Sequence, residues 1–366
     1  MIWAATKTAV LSGVLNSLLR GRDLLVFLLT ALALVWPATP SRADTAQQID
    51  RDALIFYLED GLAASRFYEK ESDLIAALSG ADTWLGEAQY TNTGVGEALH
   101  HGRAVVERLD RELVELDKEL AGFRREGPEF PPVFYWYDDW VDWRRASLDL
   151  LRLQTGHLRD MIRAVAGGDD EKVWAAQSAA DIDRLAFQAY FDAITDQINE
   201  TLPEGHPDRI LNNAFGKWET YSALQVKRAE AQDDAAYRDA TLEIAAELKR
   251  ISAHIAGNAE ALDAALVQHR AALAPFVQVL TRDEDRTEAA LDRIMESYRQ
   301  TADVVRGYAG VYGDTAKHEL KVWRDGPTPE LFAGYTEFQY RYEALNTRLN
   351  ALWTERAEIM VGAIAR

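Results

Sequence analysis

"LHHGRAVVERLDRELVELDKELAGF", residues 99–123, decides the fold. Leu99, Gly102, Val106, Leu109, Leu113, Leu116, Leu120 and Phe123 follow one another at alternating steps of three and four without a slip. That period keeps one stripe of a helix turned toward a partner helix, as at coiled-coil positions a and d. At about 1.5 Å per residue the stretch is roughly 40 Å long. A helix with one apolar stripe and largely charged flanks gains its stability by burying that stripe against another helix. The same spacing returns near the end of the chain in Leu331, Tyr335, Phe338, Tyr342, Leu345, Leu349 and Leu352, directly after Thr328-Pro329. There the threonine is suited to cap the helix and the proline to occupy its first turn.

Outward from these two stripes the chain keeps a period near 3.6, is rich in Ala, Leu, Glu, Arg and Gln, and has almost no alternating pattern. The fold class is therefore all-α: an elongated multi-helix bundle of about eight to ten helices, many of them long, antiparallel and coiled-coil-like. Breaks are expected at Ser79-Gly80, at Arg125–Pro132, at Gly167-Gly168, at Leu202–Asp208, near Gly257, at Gly313 and at Arg324–Pro329. Between Arg209 and Ile255 there is one glycine, Gly216, and no proline, so helices are expected to run on through "AEAQDDAA" at 229–236. "LPEGHPD" at 202–208 reads as a tight bundle corner, and a subdivision of the chain there is the alternative. "YTNTGVGEALHHG" at 90–102 reads as a kinked helix entry with Thr93 near the cap, and as the irregular segment where a binding loop would sit.

The densest chemistry lies in "EFPPVFYWYDDWVDWRR", residues 129–145, with seven aromatic side chains and four carboxylates. On a wheel of about 100° per residue, Phe134, Trp136, Tyr137, Trp140, Val141 and Trp143 share one half, and Asp138, Asp139, Asp142 and Tyr135 the other. The apolar half continues through Leu148, Leu151, Leu158, Met161, Ile162 and Val165, so this helix is expected to pack between two neighbours. Arg144 falls inside the apolar arc, where its planar head can stack on an indole or pair with a carboxylate from another helix. The preferred reading is a buried aromatic stripe. The alternative is a pocket for a cation or a sugar lined by Tyr135, Trp136, Trp140, Trp143 and Arg144.

At the other end of the chain Arg20 and Arg22 precede an uncharged apolar run, Leu24–Trp36, followed by Pro37, Pro40 and Ser41-Arg42-Ala43. This is the layout of a secretory signal with cleavage after Ala43, leaving residues 44–366 as the helical domain; retention as an anchor is the alternative. Residues 1–43 hold four basic and one acidic side chains, so cleavage takes the formal charge from −19 to −22. Such a surface repels nucleic acid and anionic lipid. The chain has no cysteine, which excludes disulfides and a lipid-anchored cysteine, so stability must come from the apolar core.

Catalytic signatures are scarce. Glu97-Ala98-Leu99-His100 is a Glu-x-x-His pair, the element by which di-iron bundles aim two ligands inward, but a second copy is missing. Glu97 and His100 are thus the weak metal candidates, with solvated histidines at a helix start as the preferred reading, and no cofactor is expected. Neither Gly-x-Ser-x-Gly nor a phosphate-binding glycine loop occurs. The sequence points to an exported, periplasmic or secreted, non-enzymatic bundle that binds a partner protein or a small molecule. The alternatives are a membrane-active, pore-forming type of helical protein and a metal-binding bundle enzyme. Against the former, no segment after residue 43 approaches the 18 or so uncharged apolar residues that insertion requires.

Overall fold

The computed structural model describes residues 51–123, 136–173, 175–180, 204–215, 219–229, 233–326 and 328–364, with isolated positions between 182 and 231. The export signal expected at 1–43 lies outside them. The described residues form helices and turns with no strand, as the periodicity demands. The helices are α1 (Arg51–Thr91), α2 (Val95–Ala121), α3 (Trp136–Gly167), α4 (Pro207–Ala214), α5 (Glu219–Ala229), α6 (Asp234–Thr281), α7 (Glu284–Asp325) and α8 (Pro329–Ala363). The longest, α6, has 48 residues and spans about 70 Å. Among the described residues no helix is long and apolar enough to cross a membrane.

The caps are local and chemical. Thr328 accepts a hydrogen bond from the Leu331 amide, with Pro329 in the first turn of α8. Asp233 and Asp283 do the same for α6 and α7 through the amides of Ala236 and Arg286. Between α6 and α7 the reversal takes two residues, because Arg282 adopts a left-handed φ of 54° and Asp283 at once starts the next helix. Gly168 and Gly326, both at positive φ, end α3 and α7 where the sequence places breaks.

Other expectations fail. Ser79-Gly80, Gly257 and Gly313 interrupt nothing: α1, α6 and α7 run straight through them. A lone glycine costs a helix only about 1 kcal/mol relative to alanine, which long-range packing outweighs. Gly313 is used for that packing, since a Cβ there would lie 3.2 Å from Ser252 Oγ on α6, and that hydroxyl donates to the Ala309 carbonyl. Conversely, the 229–236 stretch is broken, because the Asp233 side chain caps a new helix. The segment 90–102 holds no long loop either: three residues, Asn92 to Gly94, separate α1 from α2, and Gly94 at φ 68° occupies the cap position with no side-chain cap.

Packing follows a chain of neighbours in which α3 lies on α2, α2 on α1, α1 on α8, α8 on α7 and α7 on α6, with α4 and α5 laid on α6. Two apolar cores result. One gathers Phe67, Leu74 and Leu85 of α1, Leu109, Leu113, Leu116 and Leu120 of α2, and Val141, Leu148, Leu158 and Met161 of α3. The heptad stripe of α2 is its spine, with Leu99 and Phe123 half-buried at the ends. The helix α3 does pack between two neighbours, α2 and α1. The other core joins α4 to α8, and the first turns of α1, through Leu54, Leu58 and Leu62, belong to it. Helix α1 is thus a shared wall.

Where α1 meets α8 the contact is polar. Ser65, Ser72 and Ser79, seven residues apart on α1, are all buried. Gln339 reaches Ser79 Oγ at 3.4 Å, and Asn346 and Asn350 reach Ser72 Oγ at 3.3 and 2.7 Å. Arg66 pairs with Glu358 at the far end, so the two helices are antiparallel. A buried amide that must find its partner fixes register between helices.

Candidate functional site

Arg144 is the one aromatic-stretch candidate whose side-chain environment is described. It is 0% exposed, forms an ion pair with Glu71 of α1, and holds its guanidinium 5.0 Å from the Tyr68 ring centre. The sequence expected a carboxylate from another helix or a stacking ring, and the structure supplies both, with a tyrosine in place of an indole. Trp136, Trp140 and Trp143 lie on the first turns of α3, and their side chains, like Tyr135 as a whole, fall outside what is described. Asp142 on the opposite half is exposed and pairs with Arg145.

Glu97 and His100 both face solvent on the first turns of α2. The adjacent His101 stacks at a tilt on Trp84, ring centres 4.9 Å apart. Among the described residues no group of three or more histidine, aspartate or glutamate side chains is arranged to hold a metal ion.

Two further polar clusters lie inside the second core. In the first, Arg228 of α5 donates to Glu319 of α7 and to Gln225 Oε1, both at 2.7 Å, and Gln225 donates to the Tyr221 hydroxyl. Burial opposes the Arg228 charge, but Glu319 and the surrounding tyrosines, Tyr335, Tyr237 and Tyr221, more than offset it and hold the guanidinium protonated beyond its usual range. Burial, reinforced by Glu319, pushes the Tyr221 and Tyr335 hydroxyls up. Nearby, His318 donates to the Leu331 carbonyl at 2.6 Å, and burial pushes its pKa down.

In the second cluster His206, Asp208, His269, Tyr298 and Arg356 converge from four helices, each at most 4% exposed. Tyr298 donates to the Asp208 carboxylate at 3.3 Å to either oxygen. Arg356 lies 4.3 Å over the Tyr298 ring and donates to Ser297 Oγ and Thr301 Oγ1 at 3.2 and 2.7 Å. Burial pushes the Arg356 pKa down and the Tyr298 pKa well up.

A small cleft between α1, α3 and residues 176–180 is lined by Ser79, Asp82, Gln154, His157, Met161 and Gln177, among others. Its accessible space of about 10 Å³ is that of one water molecule. At its edge His157 Nε2 meets Asp183 Oδ2 at 2.8 Å.

Exposed apolar side chains occur on several helices, and four of them lie toward one end of the second core. Val226 on α5, Leu242 on α6, and Leu320 and Trp323 on α7 are all exposed. Lys227 pairs with Glu243, and Arg228 with Glu319, so the residues next to these pairs are brought to the same end of the bundle. A satellite core of Ala231, Tyr237 and Val322, with Leu331 and Tyr335 against it, lies at that end.

Sequence reasoning found Arg144 and missed the two clusters of the second core. A signal existed for Arg356: it is the next step of the stripe that runs 342, 345, 349 and 352, a charge where the pattern demands an apolar residue. His206 lay in the expected corner at 202–208. No known protein family, curated protein or solved structure matches this chain.

Proposed function

We propose that this chain is an exported, non-enzymatic helical-bundle protein that binds a partner protein in the cell envelope. Export rests on the arginine-flanked apolar run and the Ser41-Arg42-Ala43 signature. Binding rests on one observation: Val226, Leu242, Leu320 and Trp323 are exposed on the stretches of α5, α6 and α7 that the Lys227–Glu243 and Arg228–Glu319 pairs bring to one end of the bundle. Isolated exposed leucines are ordinary on any protein surface. Several at one end of a bundle, on an otherwise strongly acidic chain, support a docking surface of the kind that aromatic and aliphatic anchors make.

The test is a Leu320→Ser, Trp323→Ser double variant. Leu320 and Trp323 are 45% and 38% exposed, so the variant loses some packing, and its fold is checked by an unchanged helical circular dichroism spectrum. A protein that co-isolates with the parent from the envelope fraction should be lost with the variant. Equal recovery by both would remove this surface from the account.

A further inference from the structure

His206 caps α4 with its own ring. Its Nδ1 lies 3.3 Å from the Asp208 amide nitrogen, which donates to it, and 3.2 Å from Asp208 Oδ2. These two contacts make opposite demands. An unprotonated Nδ1 accepts the amide hydrogen and confronts a carboxylate lone pair, whereas a protonated Nδ1 donates to the carboxylate and leaves the first turn of α4 without its cap.

Edge-on to this ring, with centres 5.0 Å apart, is His269 of α6. It is 1% exposed, and neither ring nitrogen has a hydrogen-bond partner. The groups that face it are His206 and Asp208 at the start of α4, Tyr298 of α7 with its ring centre 5.1 Å away, and Arg356 of α8. From α1, Arg51 reaches α6 at the Val279 and Leu280 carbonyls, about 15 Å further along the helix. On α6 itself the neighbouring Arg270 turns outward to Glu288 and Asp292. A proton on His269 would therefore add a cation beside Arg356 in a site whose carboxylate is already shared by Tyr298 and His206.

We propose that this cluster is a proton-operated latch: proton uptake at His269 releases α4 from the α6–α7–α8 bundle. Burial, with smaller contributions from Asp208, which opposes it, and from His206 and Arg356, pushes His269 down to about 3 from an ordinary 6.5. The closed latch thus binds a proton less readily than the open one. Closure is complete above about pH 6.5 and weakens as the pH falls from there toward 3. At the other end of α4, His254 Nε2 of α6 donates to the Asn213 carbonyl at 2.8 Å, a tether that lies outside the latch. Release uncovers the apolar surface now covered by Ile210, Leu211, Ala214 and Phe215, the last edge-on to Tyr308 at 5.0 Å.

Hydrogen exchange on the full chain, read as the protection of α4 amides relative to mid-α7 amides, tests this between pH 7.5 and 4.5. The parent ratio should fall by about tenfold per pH unit below roughly pH 6, the slope of one linked proton. His269→Leu removes the titrating ring, and His269→Gln does so with a polar side chain of similar size. Loss of the slope in either variant supports the latch, and if the leucine variant does not fold the glutamine variant decides. A parent ratio that stays constant, or a slope that persists in every variant that folds, overturns it.

Discussion

Arg144 shows what a single charged residue in an apolar arc means. Glu71 and Arg144 are both fully buried, so each depends on the other for the solvation it has lost. Replacing Arg144 by leucine would leave the Glu71 carboxylate uncompensated in the core and should cost about 3–5 kcal/mol in denaturant unfolding, whereas the Glu71→Leu, Arg144→Leu pair should recover most of that loss. The exposed Asp142, two residues away, should change stability by less than about 0.5 kcal/mol when made alanine. A double variant as unstable as the single one would show that the pair is more than an exchangeable polar contact. This partnership was half legible in the sequence: the wheel places Arg144 among apolar residues and so demands a partner, but it cannot name one 73 positions away. The same holds for His206, Asp208 and His269, whose meeting depends on how α4 lies across α6.

At the scale of the element, the helices were legible and several of their interruptions were not. The two stripes were read correctly because a three-four spacing sustained over seven or eight positions has no other physical use. Gly80 and Gly257 were misread because a glycine's local preference is small beside the burial that a continuous helix secures. A Cβ at either position would meet nothing within 4 Å, so Gly80→Ala and Gly257→Ala should each raise stability by about 0.5–1 kcal/mol in thermal melts. Gly334→Ala should do the reverse. A Cβ there would come within 2.5 Å of the His318 ring, forcing it from its bond to the Leu331 carbonyl. An overpacked site of this kind loses roughly 1–3 kcal/mol. A melting temperature unchanged by Gly334→Ala would mean that α7 and α8 yield more easily at this crossing than their close approach implies. The missed break at 229–236 is explained by Asp233, a capping residue that the absence of glycine and proline concealed.

At the scale of the whole molecule, two apolar cores share one wall, α1, and the α1–α8 contact beside them is a ladder of serines and amides. The ladder was not legible, because Ser72 and Asn346 declare themselves as interior only once the antiparallel register is known. Export should appear as an intact mass for residues 44–366 in the soluble envelope fraction, and a chain that keeps Leu24–Trp36 and sediments with membranes would show an anchor instead. The acidic surface should make any docking depend on apolar anchors more than on charge at physiological salt, where the screening length is about 8 Å. The central claim, that the α5–α6–α7 end is a partner-binding surface, is tested most directly by a photo-crosslinking side chain at Leu320, compared in the producing cell with one at Val267. Val267 is exposed on α6 about 37 Å along the helix from Leu242. The account predicts a discrete crosslinked species from position 320 that is absent from position 267; no adduct at 320, or the same adducts from both positions, would contradict it.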